Sequence, residues 1–509
     1  MHRRRGSRVG PLGWAPRLLS LALAGLLLAA CTGARGGSSA GGNARVTPVD
    51  EQSGSGAPAP SSSGGAPASS SGRPRPSGAE SSSSADPMSG AGGALSSSDL
   101  GAVYRTIVEG YIDPVEPATL LRAADATLRE SSTRAGALPL DTAPIDLAPA
   151  AQGDPDRNWQ GFARAYDIMI QKHPHWAGEA RPDRAVIRAM LATLGDGHSQ
   201  YMEAEEVRRM SETGFTGIGI RMSKPAENEA PVIVEVFQGS PAARAGLRPG
   251  DRVAAVDGQP SQARGLTEVV ALIRGQQGSP VVLSISRGGA PGVDTRIMRG
   301  PVQTPPVEGS IRAGTIGVLR IRSFGEGVPE AVTQVLTQGR NRGAQAWIVD
   351  LRGNTGGSIE AMRRVAANFV DARPVGLSID RAGAREPIST VGRPAIPPTP
   401  VVVLIDKETA SGAEVLAAAM QEYGIATLVG MKTGGNVGIA APRPLSDGSA
   451  VQVTVARLLS PAGAQIDAVG VKPDTEVDLT ITDLERGEDP QLVRAAEVLL
   501  GSAAASVLR

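Results

Sequence analysis

A serine between an apolar run and a short Ala-rich segment is the residue of this chain best suited to chemistry. Ser411 stands in the sequence Thr-Ala-Ser-Gly-Ala-Glu, residues 409–414, directly after the apolar run 401–405. This pattern predicts a buried strand, a tight turn and a helix over about 415–423. Backbone N–H groups at a helix start have no partner within the helix, so they can stabilise an oxyanion. Because a serine hydroxyl is a weak nucleophile on its own, the chain must also supply a base.

A histidine invites a second catalytic interpretation. His198 lies in the stretch Leu-Gly-Asp-Gly-His-Ser-Gln-Tyr, residues 194–201. No neighbour in the sequence completes a triad with it, and the glycine is typical of a helix stop. The local pattern therefore favours a structural turn over a catalytic histidine.

The elements that must position Ser411 alternate between strand and helix over about residues 309–478. Such alternation predicts a parallel-type sheet with helices on its faces, and sites in such sheets lie at the carboxyl ends of strands. The Gly-rich turns 353–357 and 409–414 both follow predicted strands. They are therefore expected to converge on one cleft. The other predicted elements are strands 316–321 and 346–351 and helices 328–340 and 359–370.

Upstream, residues 214–301 have the pattern of short strands with one amphipathic helix, over about 266–274. This segment resembles a PDZ domain along its whole length. In that fold a glycine-containing loop presents N–H groups to a peptide's C-terminal carboxylate, and the peptide adds to a sheet edge. The matching loop is Gly217, Ile218, Gly219 and Ile220. A β-rich domain without a ligand is the alternative.

Composition excludes several classes of function. The 509 residues allow two to four domains. The 51 basic and 51 acidic side chains balance, so the chain lacks the excess positive charge typical of nucleic-acid-binding proteins. Four histidines and one cysteine are too few for a cysteine–histidine zinc site. We therefore expect no metal, no cofactor and no nucleic-acid partner.

The single cysteine lies at the end of a leader-like segment. Arg3, Arg4 and Arg5 precede a short apolar run, 18–30, which ends in Leu-Ala-Ala-Cys at Cys31. This resembles a bacterial lipoprotein cleavage box, which implies a lipid on Cys31 and a membrane anchor at the cell envelope. An ordinary secretory signal with a chance cysteine is the alternative. The following residues, to about 98, are rich in Ser, Gly, Ala and Pro, and this composition predicts a disordered tether.

The turn motif 350–357, Asp-Leu-Arg-Gly-Asn-Thr-Gly-Gly, together with the Ser411 turn resembles the C-terminal processing (tail-specific) serine peptidases. The resemblance covers about residues 99–480. It implies a multidomain α/β protein with a helical N-terminal part, a PDZ β-rich domain and a Clp-protease/crotonase-like α/β core. The predicted divisions are signal peptide 1–30, tether 31–98, helical domain 99–213, PDZ domain 214–302, peptidase core 303–480 and C-terminal helix 481–509.

The resemblance assigns a role to each matching residue. Ser411 is the nucleophile, and Gly412, Gly356 and Gly357 supply oxyanion N–H groups. Glu414 and Thr433 stand where the family keeps an acid and a threonine.

The family's base is missing from its usual place. In the family the base is a lysine at the position that Asn436 occupies here, and a glutamine stands at the position of Ala440. An amide has no basic nitrogen near neutral pH. Lys432 is a candidate substitute if the turn is remodelled.

Two functions from different classes follow. The first is an envelope serine-type endopeptidase that recognises substrate C-termini through its PDZ domain. The second is a catalytically impaired, peptidase-like scaffold that binds protein C-termini. A third possible function is that of an acyl-transfer enzyme built on the crotonase-like core. The PDZ domain argues against this function because it indicates peptide ligands.

Overall fold

The computed structural model describes residues 94–134, 155–172, 181–211 and 214–501, which belong to one compact unit that starts at Asp86. The predicted leader, Cys31 and nearly all of the predicted tether lie outside these residues. Within the described ranges, no helix is long and apolar enough to cross a membrane.

Helices dominate the first described segment because their apolar residues recur at helical spacing and bury one common face. Tyr104 stacks on Trp159 with ring centroids 5.2 Å apart, and Phe162 lies 5.4 Å beyond it. Ser96 begins the first helix with a capping box that Asp99 completes. The helices are α1 (Ser97–Gly110), α2 (Pro117–Arg134), α3 (Pro155–Lys172), α4 (Pro182–Ala192) and α5 (Ala204–Ser211), with the short strand β1 (Gln200–Met202) before α5.

The second segment is a small antiparallel sheet with an apolar interior and two helices. Its strand order is β3-β4-β5-β7-β8, with β6 on β5, and β2 pairs separately with β9. Ile233, Val253 and Leu283 are fully buried in its core. The elements are β2 (Gly214–Gly217), β3 (Ile220–Ser223), β4 (Val232–Val236), α6 (Pro241–Arg244), β5 (Arg252–Val256), β6 (Gln259–Pro260), α7 (Leu266–Ile273), β7 (Pro280–Ser286), β8 (Val293–Met298) and β9 (Gly300–Gln303).

The third segment is built on a six-stranded sheet of order β10-β11-β12-β15-β16-β19, parallel except for β10. β12 and β15 are buried at every residue, as expected for strands covered on both faces. The strands are β10 (Val307–Arg312), β11 (Ile316–Ile321), β12 (Ala346–Asp350), β15 (Val401–Ile405), β16 (Ala426–Gly430) and β19 (Thr475–Glu476). The covering helices are α8 (Val328–Asn341), α9 (Ile359–Ala366) and α10 (Gly412–Glu422).

A second, antiparallel sheet was not anticipated from the strand–helix alternation. Its order is β1-β18-β13-β14, with β17 also on β18, and Val451 and Val453 of β18 pack into the core of the helical segment. The C-terminal part contains two helices where one was expected, because Gly487 at φ 73° ends the first. These elements are β13 (Pro374–Asp380), β14 (Arg385–Ser389), β17 (Gly438–Pro444), β18 (Ala450–Leu459), α11 (Ile481–Arg486) and α12 (Pro490–Leu500).

The predicted mixed α/β class is confirmed, and so is the parallel-type sheet in the core. The helix after Ser411 begins at Gly412, three residues earlier than expected. Ser411 is its N-cap, and the Glu414 side chain accepts the Ser411 N–H. Ser411 is therefore the residue immediately before the first turn of this helix.

Candidate active site

The turns after β12, β15 and β16 lie side by side because these three strands are adjacent and parallel. Asn354, which is fully buried, joins the first two turns. Its Nδ2 donates to Ile321 O (3.0 Å), its Oδ1 accepts Gly356 N–H (2.8 Å), and its carbonyl accepts Ala410 N–H (2.8 Å). The predicted convergence of the two glycine-rich turns is therefore present. The role of Asn354 was missed, although an asparagine inside a glycine-rich turn is a signal for such bonding.

Ser411 has a backbone conformation that few residues adopt, with φ 54° and ψ −125°. Such a conformation costs about 1–3 kcal/mol and persists only where the surroundings enforce it. Residue 356 must be a glycine for Ser411 to lie here, because a Cβ at Gly356 would be only 2.6 Å from Ser411 Cβ. Ser411 is half-buried, and its Oγ forms no hydrogen bond with any residue in the described ranges.

Two of the three predicted oxyanion donors are unoccupied. The third, Gly356 N–H, already donates to Asn354 Oδ1 and is therefore not free to bind an oxyanion. Phe324 pairs with Gly356 O and Ser358 N, and this bridge leaves Gly357 N–H unused. Across the described part of the chain, nothing accepts a hydrogen bond from the N–H of Gly357 or Gly412. Gly412 N–H is also close to Gly356, where a Cβ would lie 3.0 Å from it.

Glu414 is fully buried and holds the neighbouring turn in place. Its carboxylate accepts four hydrogen bonds: Ser411 N–H (3.0 Å), Gly435 N–H (2.8 Å), Asn436 N–H (2.8 Å) and the Thr433 hydroxyl. Thr433 Oγ1 in turn accepts the backbone N–H of Val471 at 2.7 Å. Glu414 and Thr433 therefore fix the turn 433–436 against the start of α10.

The backbone of Asn436 contacts Ser411, but its side chain offers no base. The Asn436 carbonyl accepts Ser411 N–H at 2.8 Å, and the side chain is exposed. Lys432 is exposed as well, and its ammonium group has no hydrogen-bond or ion-pair partner in the described segments. Nothing in the described structure directs Lys432 towards Ser411.

His198 lies against the same turn, which its sequence neighbours did not reveal. A Cβ at Gly438 would lie 2.8 Å from His198 Cγ and Cδ2, so glycine is required there. His198 Nε2 is 3.3 Å from Asp467 Oδ1, a carboxylate 269 residues away in the chain. The sequence analysis considered only the sequence neighbours of His198, whereas this carboxylate is brought to it by the fold.

Asp196 fixes the conformation of the His198 loop. It accepts the N–H of Ser199 (2.7 Å) and of His198 (3.3 Å), and also the Ser199 hydroxyl (3.0 Å). Burial alone would raise the pKa of Asp196, but hydrogen bonds from Ser199, Thr454 and His198 lower this pKa overall. The loop is thus held by a carboxylate that its environment keeps ionised.

The predicted carboxylate loop of the β-rich segment has an open backbone. Among the described residues, no acceptor binds the N–H of Ile218 or Gly219, whose carbonyls are occupied by Ala242 N–H and Phe237 N–H. Gly217 is buried as well. Ile218 is buried in the core, so its side chain is closed to a ligand, whereas Ile220 is half-buried at the start of β3.

Arg221 on β3 connects this segment to the active-site turn. Its guanidinium pairs with Glu235 of β4 (3.3 Å) and with Glu408, three residues before Ser411. Arg322 also contacts Glu235, at 2.6 Å. The β-rich segment and the serine turn therefore share a continuous ion-pair network.

Known proteins resemble the chain in both of these segments. The sequence profile of peptidase family S41 matches residues 315–477, and that of the PDZ domain matches residues 232–287. The carboxy-terminal processing protease CtpA of Bacillus subtilis is 31% identical over 327 residues, which cover 64% of this chain and 70% of that protein. A carboxyl-terminal-processing protease of Picosynechococcus is 32% identical over 340 residues, covering 63% and 81%.

A solved structure of a photosystem II D1 C-terminal processing protease is 27% identical to this chain. It aligns with 80% of this chain and 98% of its own, with a TM-score of 0.49. On the sequence matches and the relatives, the chain belongs to the carboxy-terminal processing serine peptidases of family S41, with a PDZ domain before the peptidase core.

Proposed function

We propose that this chain is an active serine endopeptidase that cleaves proteins after engaging their C-termini. The observation that carries the proposal is the Ser411 turn. Within the described residues, the Oγ of the strained Ser411 has no hydrogen bond, and the turn that contains Gly356 and Gly357 packs against Ser411 and Gly412, with the N–H groups of Gly357 and Gly412 free. A nucleophile next to two unused N–H donors is the arrangement that acyl transfer requires.

The mechanism follows from these groups. Ser411 Oγ attacks the scissile carbonyl carbon as a base removes its proton, and the carbonyl oxygen becomes an oxyanion that Gly357 and Gly412 stabilise. Collapse breaks the C–N bond, the amine leaves with a proton, and water then releases the acyl group from Ser411. Each oxyanion donor contributes about 10²–10³-fold to kcat in known peptidases.

The competing function is a scaffold that binds C-termini without cutting them. Asn436 favours it because the family's lysine is absent. Purified protein incubated with an unfolded substrate that ends in apolar residues separates the two functions.

Ser411→Ala should abolish cleavage in this assay, while Ser310→Ala, at an exposed serine of the edge strand β10, should leave the rate unchanged. Cleavage equal to that of the parent in Ser411→Ala would refute the proposed nucleophile. Binding of the substrate without cleavage by the parent would support the scaffold.

Peptide recognition by the PDZ domain should depend on a free C-terminal carboxylate. The open N–H groups of Ile218 and Gly219 would bind that charge, and each lost charge-assisted hydrogen bond costs about 1.5–3 kcal/mol. A peptide amide should therefore bind at least tenfold more weakly than the matching acid in a fluorescence titration. Equal affinities for acid and amide would exclude this mode of recognition.

We propose that the protein is anchored by lipid on Cys31 at the bacterial cell envelope, on its extracytoplasmic side. The supporting sequence is the basic start, the short apolar run and the Leu-Ala-Ala-Cys box. Cys31→Ser should move the protein from the membrane fraction to the soluble fraction. A variant that still sediments with membranes would count against the lipid.

A further inference from the structure

We infer that His198, oriented by Asp467, is the general base for Ser411 in this chain, in place of the family's lysine. The inference rests on the proposed peptidase function and concerns how the same site works. It assigns a catalytic role to a residue that neither the local sequence nor the family resemblance selected.

His198 lies against the turn that adjoins Ser411. Ser411 N–H donates to Asn436 O at 2.8 Å, so the turn that contains residue 436 lies directly beside the nucleophile. On the same turn, a Cβ at Gly438 would overlap the His198 ring at 2.8 Å. Gly197 is close too, because a Cβ there would lie 3.8 Å from Asn436 Oδ1. The imidazole therefore occupies the region next to the position from which the family presents its lysine.

Asp467 is the carboxylate partner of His198. Asp467 lies on a loop held against the same turn, since Ala468 N–H donates to Gly435 O at 2.7 Å. Its Oδ1 is 3.3 Å from His198 Nε2, and its Oδ2 is 3.6 Å from Arg457 Nε. Arg457 also pairs with Asp113. Asp467 is thus fixed by an arginine on one oxygen and contacts the imidazole through the other.

The contact with Asp467 also bears on which imidazole nitrogen carries the proton. A carboxylate can only accept a hydrogen bond, so in the neutral imidazole the Asp467 contact favours the proton on Nε2 and the lone pair on Nδ1. Nδ1 makes no hydrogen bond to any residue that the structure describes, and the His198 side chain is 14% exposed and so is not sealed in the core. Catalytic hydrogen bonds tighten when substrate is bound, so direct contact with Ser411 Oγ before then is not required.

The proton balance of the step is complete. His198 Nδ1 takes the Ser411 hydroxyl proton as the Oγ–C bond forms, and the imidazolium gives that proton to the amine nitrogen as the C–N bond breaks. In deacylation the imidazole takes a proton from water as the hydroxide adds to the acyl carbon, and it returns the proton to Ser411 Oγ. Asp467 is a positioning residue that stabilises the imidazolium.

The main test uses the full protein and the unfolded substrate. His198→Gln keeps a side-chain N–H for Asp467 but has no basic nitrogen, so kcat should fall about 10²–10⁴-fold while KM stays within about twofold. His198→Ala should show a similar loss and should regain activity with added imidazole, whereas Ser411→Ala should not. Asn436→Lys should restore cleavage in His198→Ala, because it returns a base to the family's position. The unfolding temperature of each variant shows whether a loss of activity is caused by misfolding.

A separate experiment tests the positioning role of Asp467. Asp467→Asn should lower kcat and change the pH profile of kcat/KM, and Asp467→Glu should recover part of the loss. A purely structural aspartate would lower the unfolding temperature without changing the pH profile.

The outcomes distinguish this inference from the proposed function. Parental kcat in His198→Gln, with no activity in Ser411→Ala, would overturn the His198 assignment alone. Loss of activity in Lys432→Ala with a fully active His198→Gln would transfer the role to Lys432. Cleavage that survives Ser411→Ala, or a parent that neither cleaves nor reacts with a fluorophosphonate at Ser411, would overturn both.

Discussion

Replacing Glu414 by alanine should lower the cleavage rate by about 10²-fold and also destabilise the core. The buried carboxylate accepts three backbone N–H groups and the Thr433 hydroxyl, and these donors would lose their partner together. An unpaired buried donor costs about 1–3 kcal/mol, so we expect a total loss of about 3–5 kcal/mol, because neighbouring donors are not independent. The turn 433–438 would no longer be held against Ser411. A shift of about 1 Å in a catalytic group costs on the order of 10²-fold in rate.

Urea denaturation and the cleavage assay measure the two effects of Glu414→Ala. The matched control is Glu360→Ala, which removes an exposed glutamate from the first turn of α9. Among the described residues, Glu360 pairs only with Arg363 at the surface, so its loss should cost less than about 0.5 kcal/mol and leave the rate unchanged. Full stability and activity in Glu414→Ala would contradict the four-donor arrangement.

Replacing Arg352 by alanine should destabilise the core by about 3–5 kcal/mol at neutral pH, because it leaves the buried Asp350 carboxylate without its charge partner. Arg352 donates to Asp350 Oδ1 at 2.9 Å and to Oδ2 at 2.8 Å. Its other nitrogen reaches Asp489 (3.1 Å) and Gln491 (2.9 Å), which ties α12 to the turn after β12. The substitution should therefore also loosen α12, which hydrogen exchange would detect.

The dependence of this effect on pH has a definite sign. Burial alone would raise the pKa of Asp350, but the Arg352 guanidinium, aided by Arg320, lowers the pKa to about 2 from its ordinary value of 3.8. The stabilisation is therefore fully present above about pH 4 and is lost as the pH falls through about 2.

In Arg352→Ala the deficit should shrink with acidification, because protonation then neutralises the buried carboxyl. The double variant Asp350→Asn, Arg352→Met removes both charges and should cost less than Arg352→Ala alone. A deficit that is independent of pH would contradict this account.

Much of the architecture was accessible from the sequence because it depends on local patterns. Apolar runs such as 401–405, followed by glycine-rich turns, predicted the parallel core, and Ser411 was expected at a helix start. The absence of the family's lysine was equally visible at Asn436. These features are properties of a few consecutive residues, and hydrophobic periodicity and turn chemistry report them directly.

Only the tertiary structure decided which groups meet at the site. The pairing of His198 with Asp467 joins residues 269 apart, and it arises because the helical segment packs on β18 and brings the His198 loop to Gly438. No periodicity in the sequence encodes such a contact. Likewise, the choice of Gly357 over Gly356 as a free N–H donor depends on Asn354 and Phe324. The sequence by itself pointed to Ser411 and to the strand–helix core, because both depend on local patterns, whereas packing between distant segments determined which groups lie near Ser411 and which N–H groups there are free.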